Sequence, residues 1–191
     1  MNALQALTER RTIRLFQQRP VADADLATVI NAARVTSCAS NRQPLRYIVI
    51  RTTPLLDQVL AETAWAALVA PKRTPVPGKT APAAFIAVIA PADAKPITYA
   101  DAGAAIQSMQ TAAWALGLGC CWLGAIKREN LHKILNLTPE RQTLFLLAIG
   151  YPAEQPVSED VAGDASIAYY LDDANRLHVP KIRLEDLVDW R

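Results

Sequence analysis

The sequence predicts a layered domain in which helices cover both faces of a buried β-sheet. Helical stretches with an apolar stripe alternate along the chain with about four short apolar stretches, which have the continuous apolar character of strands covered on both faces. The chain has 191 residues, enough for one domain with a full core and too few for two. Because helices separate successive strands, the connectivity alone favours a parallel α/β sheet.

The first fifty residues contain two predicted helices and one predicted strand. The first helix covers residues 2–9. A second helix should begin at Asp23 as its N-cap, because the apolar residues that follow repeat at the spacing of one buried stripe: Leu26, Val29, Ile30 and Ala33. A polar loop over 36–43 then leads into a strand at 47–50.

The rest of the chain alternates in the same way. The dipeptide Thr53-Pro54 predicts a helix start with Pro at the first helical position. Four prolines and a glycine over 71–82 exclude regular structure, so this segment is predicted to be a loop or lid. The remaining predicted elements are a strand at 83–90, a helix at 100–116, a strand at 120–124, a short helix at 131–135, a strand at 144–150 and a tail over 152–191 that ends in a helix from Leu184.

The charge of the chain is small in total but unevenly distributed. Lys and Arg number 20 and Asp and Glu 18, which excludes a polycation that coats nucleic acid. Residues 1–51 nevertheless hold eight arginines against three acidic residues, while residues 152–191 hold nine acidic and four basic residues. This acidic tail suits a core poorly. We expect it to wrap a partner, the simplest being a second copy of the chain.

Several other classes of protein are also disfavoured. The longest apolar stretch, 112–126, is interrupted by three glycines and is shorter than the about 20 residues that cross a bilayer, so no membrane partner is expected. The N-terminus lacks the apolar centre of a secretion signal, and three cysteines make no disulfide framework, so we expect a cytoplasmic protein. His132 and His178 have no ligand-spaced neighbours, so no metal site is expected.

The strongest chemical signal in the residues themselves is an arginine cluster after the first helix. Arg10, Arg11 and Arg14, with Thr12 among them, place three guanidinium groups and a hydroxyl within five residues. Guanidinium groups match the oxygen atoms of a phosphate with paired donors. The alternative is a solvated basic face at a helix C-terminus. The sequence contains neither a G-x-S-x-G nucleophile motif nor a glycine-rich phosphate loop at the start of a helix.

Four longer stretches occur in the order and spacing of one known set of motifs: RRTIRLFQQRPV, AARVTSCASNRQPLRYIVI, DAGAAIQSMQTAAWALGLGCCWLGAI and LAIGYPAEQPV. This ordered set, from about residue 9 to residue 157, resembles the FMN-dependent nitroreductase family. The resemblance implies an α+β fold, a three-layer sandwich with a mixed, mostly antiparallel sheet flanked by helices, in place of the parallel sheet. It also implies a single domain over 1–191 and an intertwined homodimer in which segment 152–191 of one subunit wraps the other.

The resemblance also implies which residues bind FMN. The matching residues are Arg10, Arg11, Thr12 and Arg14 for the phosphate and ribityl chain; Lys181 and Arg183 for the same phosphate; Ser37, Cys38, Ala39 and Asn41 for a loop against the flavin, typically at the second subunit's site; and Trp122, Leu123 and Gly124 for the strand end beside the reactive edge of the ring.

The implied activity is an NAD(P)H oxidoreductase of ping-pong kinetics that reduces a small organic acceptor such as a nitroaromatic or a quinone, with the chemistry carried by FMN rather than by a catalytic side chain. Two departures place the chain outside the best-known nitroaromatic-reducing branch: Gly124-Ala125 stands where that branch has Glu-Gly, and Leu45 stands in place of a tryptophan. Either Lys72 or Lys79 matches a lysine near the flavin. The alternatives are a non-catalytic flavin- or anion-binding module and, more remotely, a nucleic-acid-binding domain.

Overall fold

The structure is a computed structural model that describes residues 2–191. Its helices and strands are α1 (Ala3–Glu9), α2 (Asp23–Arg34), β1 (Arg46–Ile50), α3 (Leu55–Ala61), β2 (Ala84–Pro91), α4 (Pro96–Ala115), β3 (Gly119–Leu123), α5 (Arg128–Ile134), β4 (Arg141–Gly150), β5 (Val157–Val161), β6 (Tyr170–Leu171) and β7 (Leu177–Ile182), with 3-10 turns at Ala39–Asn41, Ala67–Val69 and Leu184–Asp186.

The central sheet has the strand order β1-β2-β4-β3, and each neighbouring pair is antiparallel. The parallel sheet expected from connectivity alone is therefore wrong, whereas the α+β sandwich implied by the resemblance is confirmed. The crossover through α4 does make β2 and β3 run in the same direction. However, β4 returns after the short helix α5 and enters between them in the opposite direction, so no two neighbours in this sheet are parallel.

Two apolar layers cover the sheet. Helices α2 and α4 pack on one face, where Ile106 and Met109 are fully buried. Helices α3 and α5 pack on the other face, together with Ile13 and Phe16 from the segment after α1. β2 is buried on both faces from Ala84 to Ala90, which explains why its sequence is continuously apolar rather than alternating.

The helix boundaries differ from the sequence expectations for local reasons. Asp23 is inside the first turn of α2 rather than its cap, and its carboxylate pairs with Arg51. Pro54 precedes α3 instead of occupying its first position. Helix α4 begins at Pro96, earlier than expected, because Pro is compatible with the first turn of a helix. Among residues 2–191, no helix combines the length and apolar character needed to cross a bilayer.

The tail differs most from its prediction. The helix expected from Leu184 is a single 3-10 turn, Leu184–Asp186. Before it, the tail forms a second sheet of order β5-β7-β6, in which β5 and β7 are parallel and β6 and β7 antiparallel. Leu177 of β7 is buried, so part of this acidic tail packs against its own chain.

Candidate functional site

The arginine segment 10–14 leaves α1 and runs beside β3, the edge strand of the central sheet. Thr12 pairs with Cys120 in a parallel bridge, and the backbone N–H of Ile13 donates to the carbonyl of Cys120 at 2.9 Å. Gly119 makes this approach possible, because a Cβ at that position would lie 2.4 Å from Cγ1 of the buried Ile13. The segment is therefore fixed to the sheet through its backbone, which leaves its polar side chains available.

The three guanidinium groups of this segment differ in what they contact. Arg11 is occupied: its Nη1 donates to the carbonyls of Thr8 and Arg10, both at 2.8 Å, and its Nη2 donates to Ser158 Oγ at 2.6 Å. By contrast, Arg10 Nε and Arg14 Nη1 are buried without a hydrogen-bond partner within residues 2–191. Burial lowers the pKa of Arg10 from its ordinary value. Buried donors normally have partners, so each of these two atoms is available to donate a hydrogen bond to an anion.

A carboxylate that the sequence analysis did not single out fixes the end of the arginine segment. Glu154 Oε1 accepts from the backbone N–H groups of Arg14 at 2.5 Å and Leu15 at 3.1 Å. Its other oxygen, Oε2, lies 2.7 Å from Nε of Arg73, a residue of the proline-rich loop. No local pattern could have found this contact, because the two side chains are 81 positions apart in the sequence.

A cleft of about 870 Å³ opens beside this segment. It lies between the end of α1, the chain after β4 and the start of β7. The polar and charged side chains that line it include Glu9, Arg11, Arg73, Glu154, Ser158, Asn175 and Arg176. The guanidinium of Arg14 lies over the ring of Tyr169, 5.4 Å from its centroid. Arg11 is the residue of the arginine segment that lines this space, which is large enough for an organic ligand.

The predicted ring-binding residues lie at the far end of β3. Leu123 follows Cys120 by three residues, which is about 10 Å along a strand. The side chain of Leu123 is buried, whereas Trp122 and Gly124 are exposed. Trp122 meets Phe145 edge to face, with ring centroids 5.2 Å apart. One edge strand therefore carries the arginine segment at its start and an exposed aromatic residue and glycine at its end.

The loop of Ser37, Cys38, Ala39 and Asn41 belongs to a different neighbourhood. Ala39 N–H donates to Asp101 Oδ1 of α4 at 2.9 Å, and Cys38 Sγ lies 3.4 Å from Oδ2 of the same carboxylate. The side chains of Ser37 and Cys38 line a separate, mostly apolar cavity of about 360 Å³. Within residues 2–191, no hydrogen bond or ion pair links this loop to the arginine segment.

The remaining predicted basic residues are at the surface. Lys181 is exposed on β7, and Arg183 follows that strand. Lys72 and Lys79 are both exposed in the proline-rich loop. Lys79 is adjacent to Thr80, whose carbonyl accepts from the N–H of Phe16 at 3.1 Å. None of these four side chains forms an ion pair or hydrogen bond with residues 10–14 in the described part of the chain.

The chain is similar to known proteins over most of its length. A sequence model described as "Nitroreductase family" matches residues 7–151. A protein from Archaeoglobus fulgidus, provisionally named NADH dehydrogenase/NAD(P)H nitroreductase, is 29% identical over 163 residues, covering 80% of this chain and 86% of its own length.

Solved structures agree with the sequence matches. A provisionally named nitroreductase from Desulfovibrio desulfuricans, solved in complex with FMN, is 30% identical with a TM-score of 0.67; the match covers 83% of this chain and 91% of that one. A nitroreductase family protein from Clostridium novyi NT has the same fold, with a TM-score of 0.68 at 19% identity over 80% of this chain and 87% of that one.

Proposed function

Since this chain belongs to the nitroreductase family, we propose that it is an FMN-dependent oxidoreductase that takes two electrons from NAD(P)H and passes them to a small organic acceptor such as a nitroaromatic or a quinone. The observation that carries the proposal is that Arg10 Nε and Arg14 Nη1 are both buried without a hydrogen-bond partner among residues 2–191. The related Desulfovibrio protein, which was solved in complex with FMN, supports the identity of the cofactor.

The arginine segment is suited to the phosphate of FMN. Arg10 and Arg14 offer free charged donors, and Thr12 adds a hydroxyl. Each charge-assisted hydrogen bond contributes about 1.5–3 kcal/mol, so two or three of them account for tight non-covalent binding. Because Ile13 is bonded to β3, these donors are held before the ligand arrives, which reduces the entropy lost on binding.

The end of β3 is suited to orient the ring. When bound, FMN supplies the two-electron carrier that protein side chains lack. The exposed Gly124 leaves room beside the ring, and Trp122, braced by Phe145, limits its position. A ring held against this strand has one open face. We propose that NAD(P)H and the acceptor use that face in turn, which gives ping-pong kinetics with protons taken from water or the substrate.

We further propose that the active form is a homodimer and that segment 152–191 is part of one domain with the rest of the chain. The separation of the Ser37–Asn41 loop from the arginine segment supports this, because a second subunit would allow the loop to reach its neighbour's flavin. Lys181 and Arg183 remain proposed contacts of the phosphate. The three cysteines are unpaired, which supports a reducing compartment such as the cytoplasm.

The proposal is tested with the purified full-length chain. We expect a yellow protein that releases FMN rather than FAD on denaturation and that oxidises NADH or NADPH steadily with a quinone. Arg14→Ala should abolish this turnover at limiting FMN, whereas Arg51→Ala, whose guanidinium pairs with Asp23 at the surface, should not. A colourless protein that cannot be reconstituted with FMN contradicts the proposal, and flavin binding without turnover favours the non-catalytic module.

A further inference from the structure

A buried ion pair lies beside the arginine segment. The side chains of Arg73 and Glu154 are only 4% and 6% exposed, and Arg73 Nε lies 2.7 Å from Glu154 Oε2. The contact is too bent for a hydrogen bond, so charge attraction holds it. Removing two charges from water is unfavourable, and such a pair is weak evidence for a stabilising role alone. The position of the pair beside the arginine segment suggests a functional role.

The two members of the pair are anchored on opposite sides. Glu154 accepts from the backbone of Arg14 and Leu15, so it fixes the end of the arginine segment. Arg73 donates through Nη2 to the carbonyl of Asn175 at 2.5 Å and through Nη1 to the carbonyl of Lys72 at 3.1 Å. Arg73 is therefore held by the proline-rich loop and the turn before β7, independently of the arginine segment.

Glu154 is bonded to the backbone N–H of Arg14, so its carboxylate is anchored on the residue whose guanidinium it could pair with. Both charges act on the thiol of Cys121: burial raises its pKa to about 12, Arg14 opposes that shift and Glu154 adds to it. An unpaired carboxylate next to a guanidinium would form an ion pair with it. Arg14 nevertheless has no ion pair, and its Nη1 has no partner within residues 2–191, while Glu154 is paired with Arg73.

We propose that Arg73 is a positioning residue for the phosphate of the bound mononucleotide. By pairing with Glu154, Arg73 leaves the guanidinium of Arg14 free for the phosphate and removes a negative charge that would repel the dianion. Glu154 can then hold the backbone of the arginine segment without competing for its side chain. This inference rests on the proposed function, since it concerns the site proposed there for FMN.

The test compares two ligands that differ only in the phosphate. FMN and riboflavin are titrated into the apoprotein, and binding is followed by quenching of flavin fluorescence. In Arg73→Gln, Glu154 should form an ion pair with Arg14 instead. FMN affinity should then fall by about tenfold or more, which corresponds to the loss of one charge-assisted contact. Riboflavin affinity should change by less than about twofold, because riboflavin has no phosphate to lose a contact.

Matched variants separate charge from structure. The double variant Arg73→Gln/Glu154→Gln should restore FMN affinity to within about threefold of the wild type, because no carboxylate remains to compete. Arg73→Lys should keep most of the affinity, since it keeps the charge. Glu154→Gln alone should bind FMN at least as well as the wild type, and it provides the test if Arg73→Gln does not fold.

The possible outcomes are distinct. Equal losses of FMN and riboflavin affinity in Arg73→Gln, or a double variant no better than the single one, overturn the inference and leave a structural pair. A Glu154→Gln variant that loses FMN affinity also overturns it. If the wild-type chain binds neither flavin, the proposed function fails and the inference fails with it. If the wild type binds FMN and Arg73→Gln binds it equally well, only the inference fails.

Discussion

At the scale of single residues, the arginine segment shows how far a motif predicts a site. Residue type and spacing identified the cluster, but they treated Arg10, Arg11 and Arg14 alike. The structure separates them, because Arg11 bonds to Ser158, 147 positions away, whereas Arg10 and Arg14 each keep a nitrogen that has no partner in the described part of the chain. Which donor stays free depends on distant contacts of this kind, and no local pattern encodes them.

The three cysteines differ in burial and should therefore differ in reactivity. Burial raises the pKa of Cys121 to about 12 and that of Cys120 further still, whereas Cys38 is half-buried in the loop after α2. At pH 8 the two buried thiols stay protonated, and the thiolate is the reactive form. A thiol reagent such as DTNB should therefore modify one cysteine in the native protein without flavin and three after denaturation.

The variant Cys38→Ser identifies the reactive group. It should abolish the native reaction while leaving two thiols that react in denaturant. Fast native modification of Cys120 or Cys121, located by mass spectrometry of peptides, would contradict the burial that the structure assigns to β3.

At the scale of elements, the strands of the central sheet were predicted to within a few residues, because a strand covered on both faces must be continuously apolar. β2 shows this clearly, since it is buried from Ala84 to Ala90. The direction of β4 was not predictable in the same way, since it depends on where the returning chain enters the sheet. The sequence pattern alone predicted a parallel sheet, and only the family resemblance implied the antiparallel one.

The second sheet was missed for a related reason. β7 is held by residues from two other strands of the tail: His178 lies 3.2 Å from both Glu159 Oε2 and Asp172 Oδ2 and stacks on Tyr170. These partners are polar and scattered, so the strands carry no apolar run that would reveal them. Hydrophobic periodicity therefore predicted loops and a last helix where pairing between polar strands dominates.

The close approach of the arginine segment to β3 depends on the absence of a side chain at Gly119. Gly119→Ala would place a Cβ against the buried Ile13, which cannot move without disturbing the bond to Cys120. We expect a loss of about 1–3 kcal/mol in the free energy of unfolding, measured with urea, together with weaker FMN binding. Gly124→Ala is the matched control for the free energy of unfolding alone, because its Cβ would lie 3.6 Å from the Phe145 ring, an ordinary contact. Equal stability of the two variants would show that the arginine segment does not depend on this close approach.

At the scale of the whole molecule, the described chain ends in a surface that suits a second copy. After β7 packs onto its own chain, the last residues turn outward: Leu184, Leu187 and Trp190 are 69%, 64% and 85% exposed. Large apolar side chains grouped at a surface mark an interaction site. The part of the tail that we expect to contact the partner is therefore 184–191, a smaller segment than the 152–191 expected from the sequence.

This surface predicts how the oligomer depends on the C-terminus. Sedimentation equilibrium of the full-length chain should give the mass of two chains at micromolar concentration. Removal of residues 184–191, or Trp190→Ala, should weaken the dimer by about tenfold or more, because burying a large aromatic side chain supplies one of the stronger terms in an interface. Since the Ser37–Asn41 loop is proposed to complete a neighbour's site, FMN affinity should fall together with dimer affinity. A full-length monomer that binds FMN as tightly as the dimer would remove the second subunit from the site.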